Sequence, residues 1–208
     1  MIIEHEYHFQ QKIKKVIYIY KETCKSIEKL KSYLSKEKGL EGVFTKKFPD
    51  GNFLEFCKVE EKSTIIVIDD FYWDAATDES IRSALISLSS IWNHHKSLTS
   101  FLCLHSYDIF LKASKLNVIL MNSSHLIFFK SSHDAKAAKR VMSQYILNLK
   151  GGQTLFQVYK RIVLEDNFQY ILVQISPQST KPSVWSRVLL AEESPMLCFN
   201  ESSDSEGE

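Results

Sequence analysis

Asp69 and Asp70 stand side by side near the end of Ser63 to Trp73, S-T-I-I-V-I-D-D-F-Y-W. Acids so placed can hold a metal-bound phosphate, because Mg²⁺ takes one or two carboxylates and completes its shell with water and phosphate oxygens. The residues ahead of them decide where they sit. Ile65 to Ile68 show no polar alternation, which predicts a strand buried on both faces. In an open α/β sheet, ligands bind in the crevice beyond the carboxyl ends of such strands. The spacing alone suits a plainer role equally well, in which Asp69 or Asp70 caps a turn or helix after a core strand.

Other reactive side chains form weaker patterns. His94, His95 and His105 invite a metal reading, since imidazole is a common zinc ligand. Adjacent histidines on a helix do not easily face one ion, however, and no cysteine or acid lies at a ligand spacing. Cys24, Cys57, Cys103 and Cys198 make no C-x-x-C pair, and Cys103 lies in an apolar run. Reduced thiols in a cytoplasmic or nuclear protein fit this usage better than a disulfide or zinc framework. No G-x-S-x-G nucleophile motif occurs.

The elements that must position these groups can be read in order. Lys14 to Tyr20 is β-branched and aromatic and predicts a strand. Thr23 to Ser35 follows as an amphipathic helix, with Ile27, Leu30 and Leu34 on one face. Gly39 to Gly51 reads as a loop, and Asn52 to Val59 as a short edge strand. After the acids, a capped helix is expected from about Asp78 to Trp92. Phe101 to Leu104 and Ser124 to Phe129 read as further apolar strands, and the alternation implies parallel strands joined by right-handed crossovers. Helices are expected over His133 to Leu149 and from Gln153, then closing strands over Tyr170 to Ile175 and Val184 to Leu190.

Composition sets the frame. The 208 residues, 44% of them hydrophobic, suffice for one α/β domain over residues 1–190. Residues 191–208 hold six acids and no Lys or Arg, and they predict a disordered acidic tail. Ser203 and Ser205 there each precede an acid by three residues, a pattern that acid-directed kinases accept. The preceding body carries all 26 Lys and Arg against 19 acids, which permits contact with a polyanion. Lys136, Lys139 and Arg140 are candidate DNA contacts, or the solvated face of an amphipathic helix. No apolar run reaches bilayer length and no signal core opens the chain, so an intracellular protein without a membrane is expected.

Three landmarks between Ile65 and Leu190 carry a family resemblance: I-I-V-I-D-D-F, then W-N-H-H-K-S-L-T-S-F-L-C-L, then M-N-S-S-H-L-I-F-F-K-S-S-H-D. Their order is similar to the packaging ATPases of the FtsK/HerA class of P-loop NTPases, found in DNA viruses and virus-like mobile elements. The most specific piece is the double histidine followed by a strand. The resemblance implies a RecA-like, mostly parallel sheet flanked by helices and a homo-oligomeric ring. It also implies ATP and Mg²⁺ as cofactors, and ATP-driven movement of duplex DNA towards capsid proteins. By it, the acids are those of a Walker B strand. Asp69 would assist Mg²⁺ binding, and Asp70 stands where the family places its catalytic acid, beside the nucleotide. His94 and His95 match the paired histidines, and Asn122 matches a polar residue just before the next strand.

The departures bear on activity. No G-x-x-x-x-G-K-[ST] loop occurs, and E-K-G-L-E-G-V-F-T-K-K lacks its spacing. The expected domain is therefore incomplete at its N-terminal side, as a truncated or degenerate copy would be. His105 and Ser106 stand in place of a Gln-Asn pair, and His133 beside Asp134 in place of an Arg. Without a phosphate cradle, the expectation is little or no ATP hydrolysis by this chain alone. The alternative is a non-catalytic protein- or nucleic-acid-interaction module that keeps the fold.

Overall fold

Branched aliphatic side chains crowd two neighbouring strands. Val16, Ile17, Ile19, Ile65, Ile66, Val67 and Ile68 are all at most 3% exposed. Burying each such side chain contributes about 2 kcal/mol, so this pair of strands anchors the first half of the molecule. A computed structural model describes residues 13–36, 39–49, 53–57, 64–92, 98–104, 106, 114–130, 135–145, 154–164, 170–174, 183–186 and 196–199. The chain divides into two compact units, Met1–His105 with Ala113–Asn122, and Ser106–Lys112 with Ser123–Glu208.

The first unit is α/β. Strand β1 (Lys15–Tyr20) leads through helix α1 (Lys25–Lys36) to β2 (Glu41–Thr45), then helix α2 (Phe53–Cys57) and β3 (Thr64–Asp69). Helices α3 (Tyr72–Thr77) and α4 (Glu79–Ser87) follow, the latter widening into a π-helical turn over Leu88–Trp92. Strand β4 (Thr99–Cys103), a 3-10 turn (Ser114–Leu116) and helix α5 (Asn117–Met121) complete the unit. The sheet order is β2-β1-β3-β4, and every neighbouring pair is parallel.

The connections follow from that order. From β1 the chain moves outward to β2, whereas from β3 it moves the opposite way to β4. Right-handed crossovers then put α1 and the α3–α4 pair on opposite faces. Leu34 of α1 accordingly packs with Val16, Ile65 and Val67, beside the partly buried Tyr18, Leu30, Phe44, Phe101 and Cys103. Ile17, Ile19, Ile66 and Ile68 point to the other face by strand alternation.

Two local expectations are corrected here. The Gly39 to Gly51 stretch is not all loop, because Glu41–Thr45 forms the edge strand β2. A Cβ on Gly42 would stand 3.0 Å from Leu34 Cδ1, so this glycine serves a close approach of α1 rather than a turn. Residues 52–59 contain a helix, α2, in place of an edge strand. Phe53 is buried against Phe48 while Glu55 is exposed, and a strand would have put those two on the same face.

The second unit is built on an antiparallel sheet, β5 (His125–Phe129), β6 (Tyr170–Gln174), β7 (Ser183–Ser186) and β8 (Met196–Phe199), paired in that order. Helices α6 (Ala135–Tyr145) and α7 (Leu155–Tyr159) lie between β5 and β6 in the chain. Leu126, Phe128, Ile171 and Val173 are buried on one sheet face, and Tyr159 Oη donates to the carbonyl of Phe129 at 3.0 Å. The expected parallel placement of Ser124 to Phe129 is corrected, since β5 pairs antiparallel with β6. Its burial alternates along the strand, as a one-sided antiparallel strand requires, and a short apolar run does not announce this. Strand β8 falls within the stretch read as a polar tail, whereas Ser203 and Ser205 lie outside the described residues. Among the described residues, no helix is long and apolar enough to cross a membrane.

Candidate functional site

The last rung of the parallel sheet holds Tyr20, Asp69 and Cys103, side by side on β1, β3 and β4. It lies beside the boundary between β1 and β3, where the chain's direction of travel across the sheet reverses, the position at which open α/β sheets bind ligands. The strand pattern read from the sequence therefore delivers Asp69 and Asp70 to that end. Both acids are half-buried.

Asp69 continues the alternation of β3 and shares the α1 face with Ile65 and Val67. One rung back, Tyr18 pairs with Val67, and its phenol reaches diagonally to donate to Asp69 Oδ2 at 3.3 Å. Burial first, and the Asp69 carboxylate next, push the Tyr18 phenol well above its usual range. Cys103 responds in the same way. Burial, then Asp69, push its thiol up to about 11.

Asp70 ends the strand differently. Its φ of 65° is the one positive value among the described non-glycine residues, and such a backbone persists only where its surroundings hold it. The capping alternative fares poorly for α3, whose N-cap is Phe71 with no side-chain cap bond. Asp78 is the capping carboxylate, accepting from the backbone N–H of Ser80 at 2.8 Å and of Ile81 at 3.3 Å to start α4.

A second pair stands at the same end of the sheet, on its β1 side. Lys21, immediately after β1, forms an ion pair with Asp74 of α3 and lies 5.6 Å from the centre of the Phe71 ring. Both charged side chains are about one-third exposed, so the pair is worth no more than about 1 kcal/mol. Its main effect is to tie the end of β1 to the helix that follows the acids. Tyr18, Lys21, Asp74 and Cys103 were not legible as site residues. Their contribution depends on which strands are neighbours and in what register.

The remaining candidates scatter. Asn122 is exposed at the end of α5, and its Nδ2 donates to Ser90 Oγ at 2.8 Å, which ties α5 to the π-helical turn. Lys136, Lys139 and Arg140 are exposed on α6, opposite the buried Ala137, Ala138, Val141 and Met142. Lys139 also lies 5.9 Å from the centre of the Phe156 ring. His94, His95, His105, His133 and Asp134 lie outside the described residues.

As a metal centre the described residues offer little, for no group of three or more His, Cys, Asp or Glu converges among them. A nucleotide-borne Mg²⁺ needs fewer protein ligands, one or two carboxylates sufficing. The phosphate side fits less well, since Lys21, which immediately follows β1, is engaged by Asp74. No protein-family model, curated protein or solved structure matches this chain.

Proposed function

We propose that this chain is a DNA-packaging or translocating ATPase-like module of the P-loop NTPase type, with a RecA-like sheet and weak or absent hydrolysis of its own. The reading rests on one observation. An acid pair ends a fully buried parallel strand at the sheet's switch point, with its second acid held in a left-handed backbone conformation. Asp69 would hold Mg²⁺, which when bound neutralises phosphate charge, and Asp70 would orient a water. The exposed Lys136, Lys139 and Arg140 would meet DNA phosphates. Ring assembly and capsid partners belong to the same reading.

The missing phosphate cradle sets the expected level of activity. Backbone amides and a lysine normally stabilise the transferring phosphoryl group, and two carboxylates do not substitute for them. Titration of the chain with a fluorescent ATP analogue is expected to show Mg²⁺-dependent binding, weakened by Asp69→Asn and by Asp70→Asn, with negligible turnover. Turnover abolished by Asp70→Asn would overturn the inactivity, and absence of binding would overturn the nucleotide reading.

A second reading has its own support. The side chains at this end of the sheet already pair among themselves, Tyr18 with Asp69 and Lys21 with Asp74. That arrangement favours a non-catalytic interaction module that keeps the sheet. Under it, Asp69→Asn changes stability and no nucleotide binds.

A further inference from the structure

Helices α6 and α7 carry cations and no acids. No Asp or Glu occurs from Ala135 to Leu164, although the rest of the chain holds 25 acids. Two contacts place cations from both helices around one ring. Lys139 of α6 has its Nζ 5.9 Å from the centre of the Phe156 ring on α7. The backbone N–H of Lys160 donates to the Phe156 carbonyl, which puts Lys160 one helical turn beyond that ring on the same side of α7. Lys160 and Arg161 open a π-helical turn that continues α7 over Lys160–Leu164, and both are exposed, as are Lys136, Lys139 and Arg140.

Phe156 differs from its neighbours on α7. Leu155, Val158 and Tyr159 are buried, whereas Phe156 is half-buried and stacks on Tyr159, with centroids 6.0 Å and planes 22° apart. Tyr159 is itself tied to the second sheet by its bond to the Phe129 carbonyl. The ring is therefore a braced aromatic surface set among cations. A duplex offers phosphates to such a surface but keeps its bases stacked inside, while a single strand offers phosphates and unpaired bases together.

We propose that the α6–α7 surface binds single-stranded nucleic acid, with a base stacked on Phe156 and phosphates held by the surrounding lysines and arginines. Base stacking outweighs an exposed cation–π contact, so Lys139 yields the ring and turns to a phosphate. The inference goes beyond duplex contact by α6 alone and is independent of the nucleotide reading.

The full chain, titrated with a labelled thymine strand of about 16 nucleotides and with a duplex of the same length, tests this. Phe156→Leu, folded by circular dichroism, should weaken strand binding about tenfold and leave duplex binding unchanged. Lys160→Gln combined with Arg161→Gln should take about 1.4 from the logarithmic salt slope for the strand. In the wild type, the NMR signals of the Phe156 ring should shift upfield on adding the strand and stay in place with duplex, a readout that needs no variant. Absence of strand binding, ring signals unmoved by bound strand, or an unchanged salt slope would each overturn the inference. So would equal losses for strand and duplex in Phe156→Leu, which would make the ring a packing residue. Duplex binding that persists in those cases leaves the proposed DNA contacts of α6 standing.

Discussion

Cys103 shows how one side chain reports the state of the site. Its thiol is pushed up from 9.0 to about 11, chiefly by burial and then by Asp69. A group whose folded pKa lies above its unfolded value stabilises the fold fully below the unfolded pKa. That contribution is lost as the pH rises through the folded pKa. Urea denaturation is therefore expected to show stability falling between pH 9 and about 11, with a shallower fall in Cys103→Ala. The Tyr18 phenol, raised in the same direction, extends the fall to higher pH. At this scale the adjacent acids were legible, because their identity and their place after four branched aliphatics are sequence facts. Tyr18 was legible only as a strand residue. Nothing in Lys14 to Tyr20 says which strand lies beside it, and the bond to Asp69 depends on that.

Elements differ in how much of their conformation is local. Strand β3 and helix α1 were readable because hydrophobic period alone separates a doubly buried strand from an amphipathic helix. Strand β2 was not, because Gly42 speaks locally for a loop, while the space around it is taken by Leu34 of α1 and Phe44 of β2. A Cβ there would meet Leu34 Cδ1 and Phe44 Cε2, each at 3.0 Å. Gly42→Ala is expected to cost about 1 kcal/mol or more in urea denaturation. The same substitution should cost less in a Leu34→Ala background, which removes the contact with Leu34 Cδ1 and leaves that with Phe44. An equal cost in both backgrounds would show that the Leu34 side chain is not what requires glycine. Strand β5 marks the opposite limit. Its apolar run identified a strand but not its orientation, which pairing with β6 decides.

For the whole molecule, charge placement offers the sharpest test of the DNA part of the proposal. Lys136, Lys139 and Arg140 share the exposed side of α6, so three phosphate contacts would be lost together in a triple glutamine variant. Duplex DNA affinity measured against salt should then lose about 3 from its logarithmic slope. An unchanged slope would assign these residues to a solvated helix face. The sequence by itself determined the α/β character of the first unit, the buried strand that ends in Asp69 and Asp70, and the capped helix after it. Each of these depends on neighbours within a few residues. Tertiary structure decided the β2-β1-β3-β4 order, the rung that aligns Tyr20, Asp69 and Cys103, and the pairing of β5 through β8 into a second sheet. Those features join residues as far apart as Tyr18 and Asp69, and hydrophobic burial favours many such pairings almost equally until side-chain packing selects one.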